Sequence, residues 1–304
     1  MPMFTAKLAQ YLLTLVILFF ANNTIAHITF PVDIGERPES ITKGFDGDYF
    51  VSVMNKKVPK DGVIVRLGEH GEISTFASGF DEPKGLAFIN NHLYVTDVTK
   101  VWKIDNNGKA LIFADSPAFP LQTLYLNDIS PNAGNTGMYV TEMGAVSYMR
   151  DDTGSLWPLN SDEAKKIPTK GRVYHIDLKG KVTEAVAASK DLLNPNGVGL
   201  ANNGDILISG FFLGKVFTHN QAGLTILSQT FRGADAIEQG NNGHYYLSSW
   251  TQGKVWQLHK DTLAPKVLLQ GLQSAADFYL DEENKRLLVP DMLAGTINQV
   301  KLEK

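Results

Sequence analysis

A chain of 304 residues with 43% hydrophobic and 20% charged side chains has the apolar content for a sizeable core, which excludes a disordered protein and a multi-span membrane protein. Lys plus Arg (28) against Asp plus Glu (32) leaves a net charge of −4, the wrong balance for gripping a phosphate backbone, so nucleic acid is excluded as a partner. Cysteine is absent and the seven His form no H-x-x-x-H or H-E-x-x-H pair, so a bound metal would have to be held by oxygen.

The chain opens with Lys7, an apolar run from Leu8 to Ala21, and the polar stretch Asn22-Asn23-Thr24 before Ile25-Ala26. A charged start, a short apolar run and small residues before a break predict a secretory signal peptide over residues 1–26, cleaved after Ala26. The run is shorter than the ~20 residues that a membrane span needs, so an uncleaved anchor is the weaker reading. The mature chain is then expected to be periplasmic or secreted, without a stable membrane anchor. Lacking cysteine, it would need no oxidative folding.

From residue 38 onward one phrase recurs: a turn, a variable residue, a small residue and an aliphatic, then a polar turn and an aliphatic or aromatic strand. The clearest copies are Pro83-Lys84-Gly85-Leu86 leading to Leu93-Tyr94-Val95-Thr96-Asp97, and Pro195-Asn196-Gly197-Val198 leading to Ile206-Leu207-Ile208-Ser209-Gly210. Weaker copies begin at Pro38, Leu126, Ala234 and Ala275, and a third strand follows in each. The variable residues fall at positions 39, 84, 127, 196, 235 and 276, mostly 39 to 45 apart. That period, built from short β-rich runs and polar turns, is the pattern of four-stranded propeller blades, so the predicted fold is an all-β six-bladed propeller over residues 27–304. The one long interval, 69 residues, carries its excess in residues 143–170, predicted as a loop from the third blade that is either a lid or a surface excursion. Residues 28–32 precede the first repeat without a blade of their own and are expected to complete the sixth, closing the ring and hiding sheet edges.

In a propeller the first strand of each blade lines the central channel. The variable positions then form a ring of Glu39, Lys84, Asn127, Asn196, Asp235 and Ala276. Singly, each Asn or Asp reads as a turn residue. As a set, two carboxylates and two carboxamides at one depth suit a hard divalent cation. Lys84 is expected to turn to solvent rather than along the channel toward an anionic substrate group. A second register, Val53, Asp97, Glu142, Gly210, Ser249 and Asp291, ends the second strands on the same face. The residues that follow, Met54, Val98, Met143, Phe211, Trp250 and Met292, are uniformly apolar, and Phe211 and Trp250 could wall a substrate pocket.

Pro38-Glu39-Ser40-Ile41, Leu126-Asn127-Asp128, Pro195-Asn196-Gly197 and Ala234-Asp235-Ala236 together resemble the senescence-marker-protein-30/gluconolactonase-like propellers, a resemblance that spans residues 30–302 or so. It implies a metal-dependent hydrolase of lactones or related cyclic esters acting on a small molecule. It also implies one divalent cation, Ca²⁺ in the first place, with Zn²⁺, Mg²⁺ and Mn²⁺ as alternatives. Carried over residue by residue, Glu39, Asn196 and Asp235 would hold the metal, Asp235 would also accept the proton of the attacking water, and Asn127 would orient the carbonyl or a water. The phrases Asn127-Asp128-Ile129 and Ala234-Asp235-Ala236 depart from the Asn-Asp-Gly and Pro-Asp-Gly that family members often carry, which touches the substrate assignment more than the ligands. Where sugar-lactone members commonly place an Arg, this chain has Tyr125, so the substrate is expected to be less hydroxylated or alkyl-bearing, with Tyr125, Phe211 and Trp250 against it. A serine hydrolase is disfavoured by the absence of a G-x-S-x-G turn. The rival reading is a non-catalytic extracytoplasmic propeller that binds a ligand or a protein.

Overall fold

The computed structural model describes residues 28–56 and 58–303. The expected signal peptide, residues 1–26, lies outside the described residues. The chain forms six four-stranded antiparallel sheets. Blade one is Pro38–Lys43, Tyr49–Val53, Gly62–Leu67 and Ile73–Phe80; blade two is Pro83–Ile89, His92–Asp97, Lys100–Ile104 and Ala110–Ala114. Blade three is Leu126–Pro131, Gly137–Glu142, Arg172–Asp177 and Val182–Val186, and blade four is Pro195–Leu200, Ile206–Gly210, Val216–Asn220 and Gly223–Ser228. Blade five is Ala234–Gln239, Tyr245–Ser249, Lys254–Leu258 and Pro265–Gln270. Blade six is Tyr279–Asp281, Arg286–Asp291 and Thr296–Lys301, with the two-residue strand Val32–Asp33 beside the last of these.

Cohesion comes from apolar layers between successive blades, since each sheet alternates its side chains to two faces and must bury both. Blades one and two share a layer containing Phe45, Phe50, Leu86 and Leu93; blades two and three share Ala87, Tyr94, Ile129 and Val140. Corresponding layers join three to four, four to five and five to six. The last layer packs Ile41, Tyr49 and Val51 of blade one on Leu288 and Ile297 of blade six, so the ring is packed all the way round. Tyr49 also bonds Asp281 across this seam (2.8 Å) and accepts from Arg286 (2.7 Å).

Two elements differ from the sequence expectation. The pairing of the N-terminal segment with blade six is confined to Val32 and Asp33, facing Ile297 and Thr296, rather than spanning 28–32. Pro31 has no N–H to donate, which stops the ladder there, while Ile28 and Phe30 still pack on the blade-six side of the seam. In blade six the regular inner strand begins only at Tyr279, preceded by isolated bridges from Ala275 to Asp291 and from Asp277 to Ser40.

Candidate functional site

Every inner strand of blades one to five carries a bulge just after its first residues, as in Pro195↔Gly210 followed by Val198↔Ile208. The extra residue leaves backbone groups off the ladder, and these must find other partners out of water. A buried hydroxyl of the second strand supplies them. Thr141 Oγ1 accepts from Asp128 N (2.8 Å) in its own blade and donates to the carbonyl of Asn196 in the next (2.6 Å). Ser209 accepts from Gly197 N (2.9 Å) and donates to the carbonyl of Asp235, and Thr96 donates to the carbonyl of Asn127. Ser52 and Ser248 accept from Ser40 N and Ala236 N. Asn127, Asn196 and Asp235 are thus pinned through their own carbonyls by the preceding blade. These hydroxyls escaped the sequence reading, although a Ser or Thr stands one residue before the end of the second strand in five repeats. The sixth has Pro290 there, which offers no hydroxyl, and its inner strand lacks the regular start. Gly197 is required for the same close approach: a Cβ on it would lie 2.1 Å from the carbonyl oxygen of Asp235.

Glu39, Asn127, Asn196 and Asp235 converge on one cavity of about 480 Å³ at the end of the channel where the inner strands begin, and all four are buried. Ala276 is buried beneath it, packed with Met54 and Met292. Asn196 donates its amide to Ala234 O (3.2 Å), and its carbonyl oxygen, Oδ1, is out of water with no hydrogen-bond partner among the described residues. An orphaned amide oxygen beside two buried carboxylates fits a hard cation, which would supply the missing partner. No group of three or more His, Cys, Asp or Glu suited to a metal occurs among the described residues, so such a site would depend on amide oxygens. Withdrawal from water and the charge of Asp277 push the Asp235 carboxyl well above the usual range, against the lowering contact of Asn196. Asn127 leans its amide on the sulfur of Met143 (2.9 Å), a weak acceptor.

Lys84 does not turn to solvent. It is 2% exposed and lines the cavity, with Nζ donating to Glu82 O (3.1 Å), 3.6 Å from Glu82 Oε2, and 4.0 Å above the centre of the Tyr125 ring. Tyr125 donates its hydroxyl to Glu82 Oε2 (2.9 Å), and burial with that neighbouring carboxylate raises its pKa far beyond the usual phenol range. The ring of Tyr125 therefore belongs to the wall while its hydroxyl is already engaged. Glu82 comes from the turn ahead of blade two and Tyr125 from the loop ahead of blade three, neither of which the repeat pattern addresses.

The second register divides. Asp97, Glu142 and Asp291 do not enter the cavity: each receives backbone N–H groups of the turn ahead of its own inner strand, from Asp81 and Glu82, from Leu124 and Tyr125, and from Gln273 and Ser274. Ser249 donates to Arg232 O. Of the residues that follow, Met54, Met143, Phe211, Trp250 and Met292 line the cavity, and Val98 does not.

The long segment of residues 143–170 docks over the cavity. Met149, Ala164 and Ile167 bury themselves against Phe211 and Phe212, Asn194 donates to Met143 O (2.8 Å), and Arg232 donates to Trp157 O. A short helix, Asp162–Lys165, is capped by Ser161, whose Oγ accepts from Ala164 N. Val146, Ser147, Met149, Arg150 and Gly154 of this segment form part of the cavity lining. Arg150 and, from the turn ahead of blade one, Arg37 are lining residues that the sequence reading missed, because neither stands at a repeated position.

The channel continues past the ring to a smaller cavity of about 270 Å³ lined by Asp128, Asp277 and Glu238. Asp128 accepts from Val198 N and Ile129 N (both 2.6 Å), and Asp277 accepts from Ser40 Oγ (2.5 Å). Burial raises Asp277 to about 7, and burial together with Asp277 raises Glu238 to about 8.

No protein-family model matches the chain, and no curated protein matches it. Solved structures do resemble it. A gluconolactonase from Xanthomonas campestris superposes with TM-score 0.65 at 12% identity, covering 91% of this chain and 92% of that one. Virginiamycin B lyase from Staphylococcus aureus, in a catalytically inactive form with quinupristin, gives 0.61 at 16% identity over 88% and 82%. A chain of the nidogen/laminin complex gives 0.59 at 13% over 78% and 81%. A gluconolactonase, a virginiamycin B lyase and a nidogen/laminin complex on one scaffold establish a shared propeller fold and leave the chemistry to the site.

Proposed function

We propose that the chain is a divalent-metal-dependent hydrolase of lactones or related cyclic esters. The observation that carries this reading is the meeting of Glu39, Asn196 and Asp235 in one roofed cavity, with the Asn196 carbonyl oxygen left without a partner. Glu39, Asn196 and Asp235 would hold the cation, Ca²⁺ in the first place, which when bound polarises the ester carbonyl and stabilises the developing negative charge. Asp235 accepts the proton of the attacking water on the carboxylate oxygen that the cation leaves free. Asn127 gives up its weak contact with Met143 to orient the carbonyl. The segment over the cavity, with Phe211 and Trp250, keeps bulk water away from the reacting groups.

A wall of Met54, Met143, Phe211, Trp250 and Met292, with the ring of Tyr125, favours a substrate with an apolar body over a polyhydroxylated sugar lactone. The charged, apolar and polar sections at the N-terminus support export to the periplasm or beyond. Closure of the ring by the N-terminal strand is part of the same proposal, supported by its pairing with blade six. The test is turnover of a lactone panel, from gluconolactone to alkyl-substituted lactones, by protein stripped with chelator and then resupplied with Ca²⁺, Zn²⁺, Mg²⁺ or Mn²⁺. Hydrolysis that needs the added ion, falls at least a hundredfold in Asp235→Asn and is faster with the alkyl lactones supports the proposal. Metal-independent turnover, or none across the panel, overturns it.

A further inference from the structure

The cations of the cavity are not equivalent. Lys84 sits against Glu82 and the Tyr125 ring. Arg150 has no carboxylate within ion-pair distance among the described residues. Its guanidinium lies 5.6 Å from the ring centre of Phe211 and 5.5 Å from that of Trp250, and Nη1 donates to Gly154 O (2.7 Å). A guanidinium has five N–H donors, so most of those of Arg150 have no protein acceptor among the described residues, and the half-buried group's loss of water lowers its pKa. Arg37 lines the same cavity, and its Nε is out of water with no hydrogen-bond partner among the described residues. Its backbone sits at φ 63°, a conformation uncommon outside Gly, Asn and Asp. Partly burying a cation that has no ion-pair partner is unfavourable, and two such groups facing one cavity favour an anionic ligand.

The lining charges reinforce this. Glu39 and Asp235 oppose Arg37 and Arg150, so a divalent ion held by the carboxylates leaves the cavity with excess positive charge. Arg150 lies within 5.6 Å of the centres of two aromatic rings, and its planar guanidinium fork suits two-point recognition of a carboxylate. From these contacts we infer that Arg150, assisted by Arg37, receives a carboxylate on the ligand, so that the preferred occupant is an amphipathic carboxylate with its apolar body on Phe211, Trp250 and the methionines. The inference deepens the hydrolase reading, since it selects lactones that carry a carboxylate apart from the reacting ester.

The experiment reads binding rather than hydrolysis, so that it can fail independently of that reading. Octanoate and octanamide, alike in shape and unlike in charge, are titrated by calorimetry into the full mature chain, without divalent ions and again with Ca²⁺. Tight binding of octanoate, at least tenfold stronger than octanamide without metal, is expected. The preference should fall toward equality in Arg150→Gln, return in part in Arg150→Lys, and weaken less in Arg37→Gln. Matched melting curves show that Arg150→Gln remains folded, as a residue on a surface segment allows. Equal binding of the two probes, binding of neither, or a preference untouched by Arg150→Gln overturns the inference. Charge-selective binding without any lactone turnover would uphold it while sinking the hydrolase.

Discussion

Thr141→Val replaces a hydroxyl by a methyl of nearly the same volume at a fully buried position. The hydroxyl holds Asp128 N at 2.8 Å and the Asn196 carbonyl at 2.6 Å, and both groups lie where water cannot replace it. Each buried backbone group left unpaired costs about 1–3 kcal/mol, so the substitution should destabilise by roughly 2–4 kcal/mol once some relaxation is allowed. For a domain of this size each kcal/mol lowers Tm by about 2–4 °C, a drop on the order of 5–15 °C. Thr141→Ser keeps the hydroxyl and loses one methyl, about 0.8 kcal/mol, and is the control. Differential scanning calorimetry measures both. The same variant should weaken divalent-ion affinity, because Asn196 is one of the candidate ligands and loses its backbone anchor. If Thr141→Val melts with Thr141→Ser and the wild type, the hydroxyls do not hold the ring residues, and the account of how the cavity is built fails.

Glu238, raised to about 8 in the folded chain, keeps a proton that the unfolded chain gives up above about 4.5, so stability should fall as pH rises between these values, by at most about 1.4 kcal/mol per pH unit. Urea unfolding from pH 5 to pH 9 should therefore show Glu238→Gln gaining on the wild type as pH rises; parallel curves would contradict the assignment. Gly197→Ala should give little soluble protein or a loss above about 3 kcal/mol, because its methyl would meet the Asp235 carbonyl oxygen at 2.1 Å; wild-type stability in urea would show that the inner strands can move apart.

The repeat carried much of this protein in its sequence. Six recurrences of one phrase specify six sheets, because each copy folds by the same local pairing and needs a neighbour to cover its faces. The variable residue after each turn is placed by that local geometry alone, which is why Glu39, Asn127, Asn196 and Asp235 could be put in one ring before any coordinates. Where a side chain at a repeated position points, and where segments outside the repeat lie, was decided by tertiary contacts. Lys84 was set by Glu82 and Tyr125, two residues from different loops, whose carboxylate and ring make burial of its charge tolerable. Asp97, Glu142 and Asp291 resemble site carboxylates in sequence, yet the turns beside them present unpaired N–H groups that they satisfy instead. Residues 143–170 have no period from which a path could be read, and their place over the cavity follows from burying Met149 and Ile167 on Phe211 and Phe212. That docking is what brings Arg150 to the cavity wall, since no pattern local to a chain can say which distant aromatic faces a cation will find.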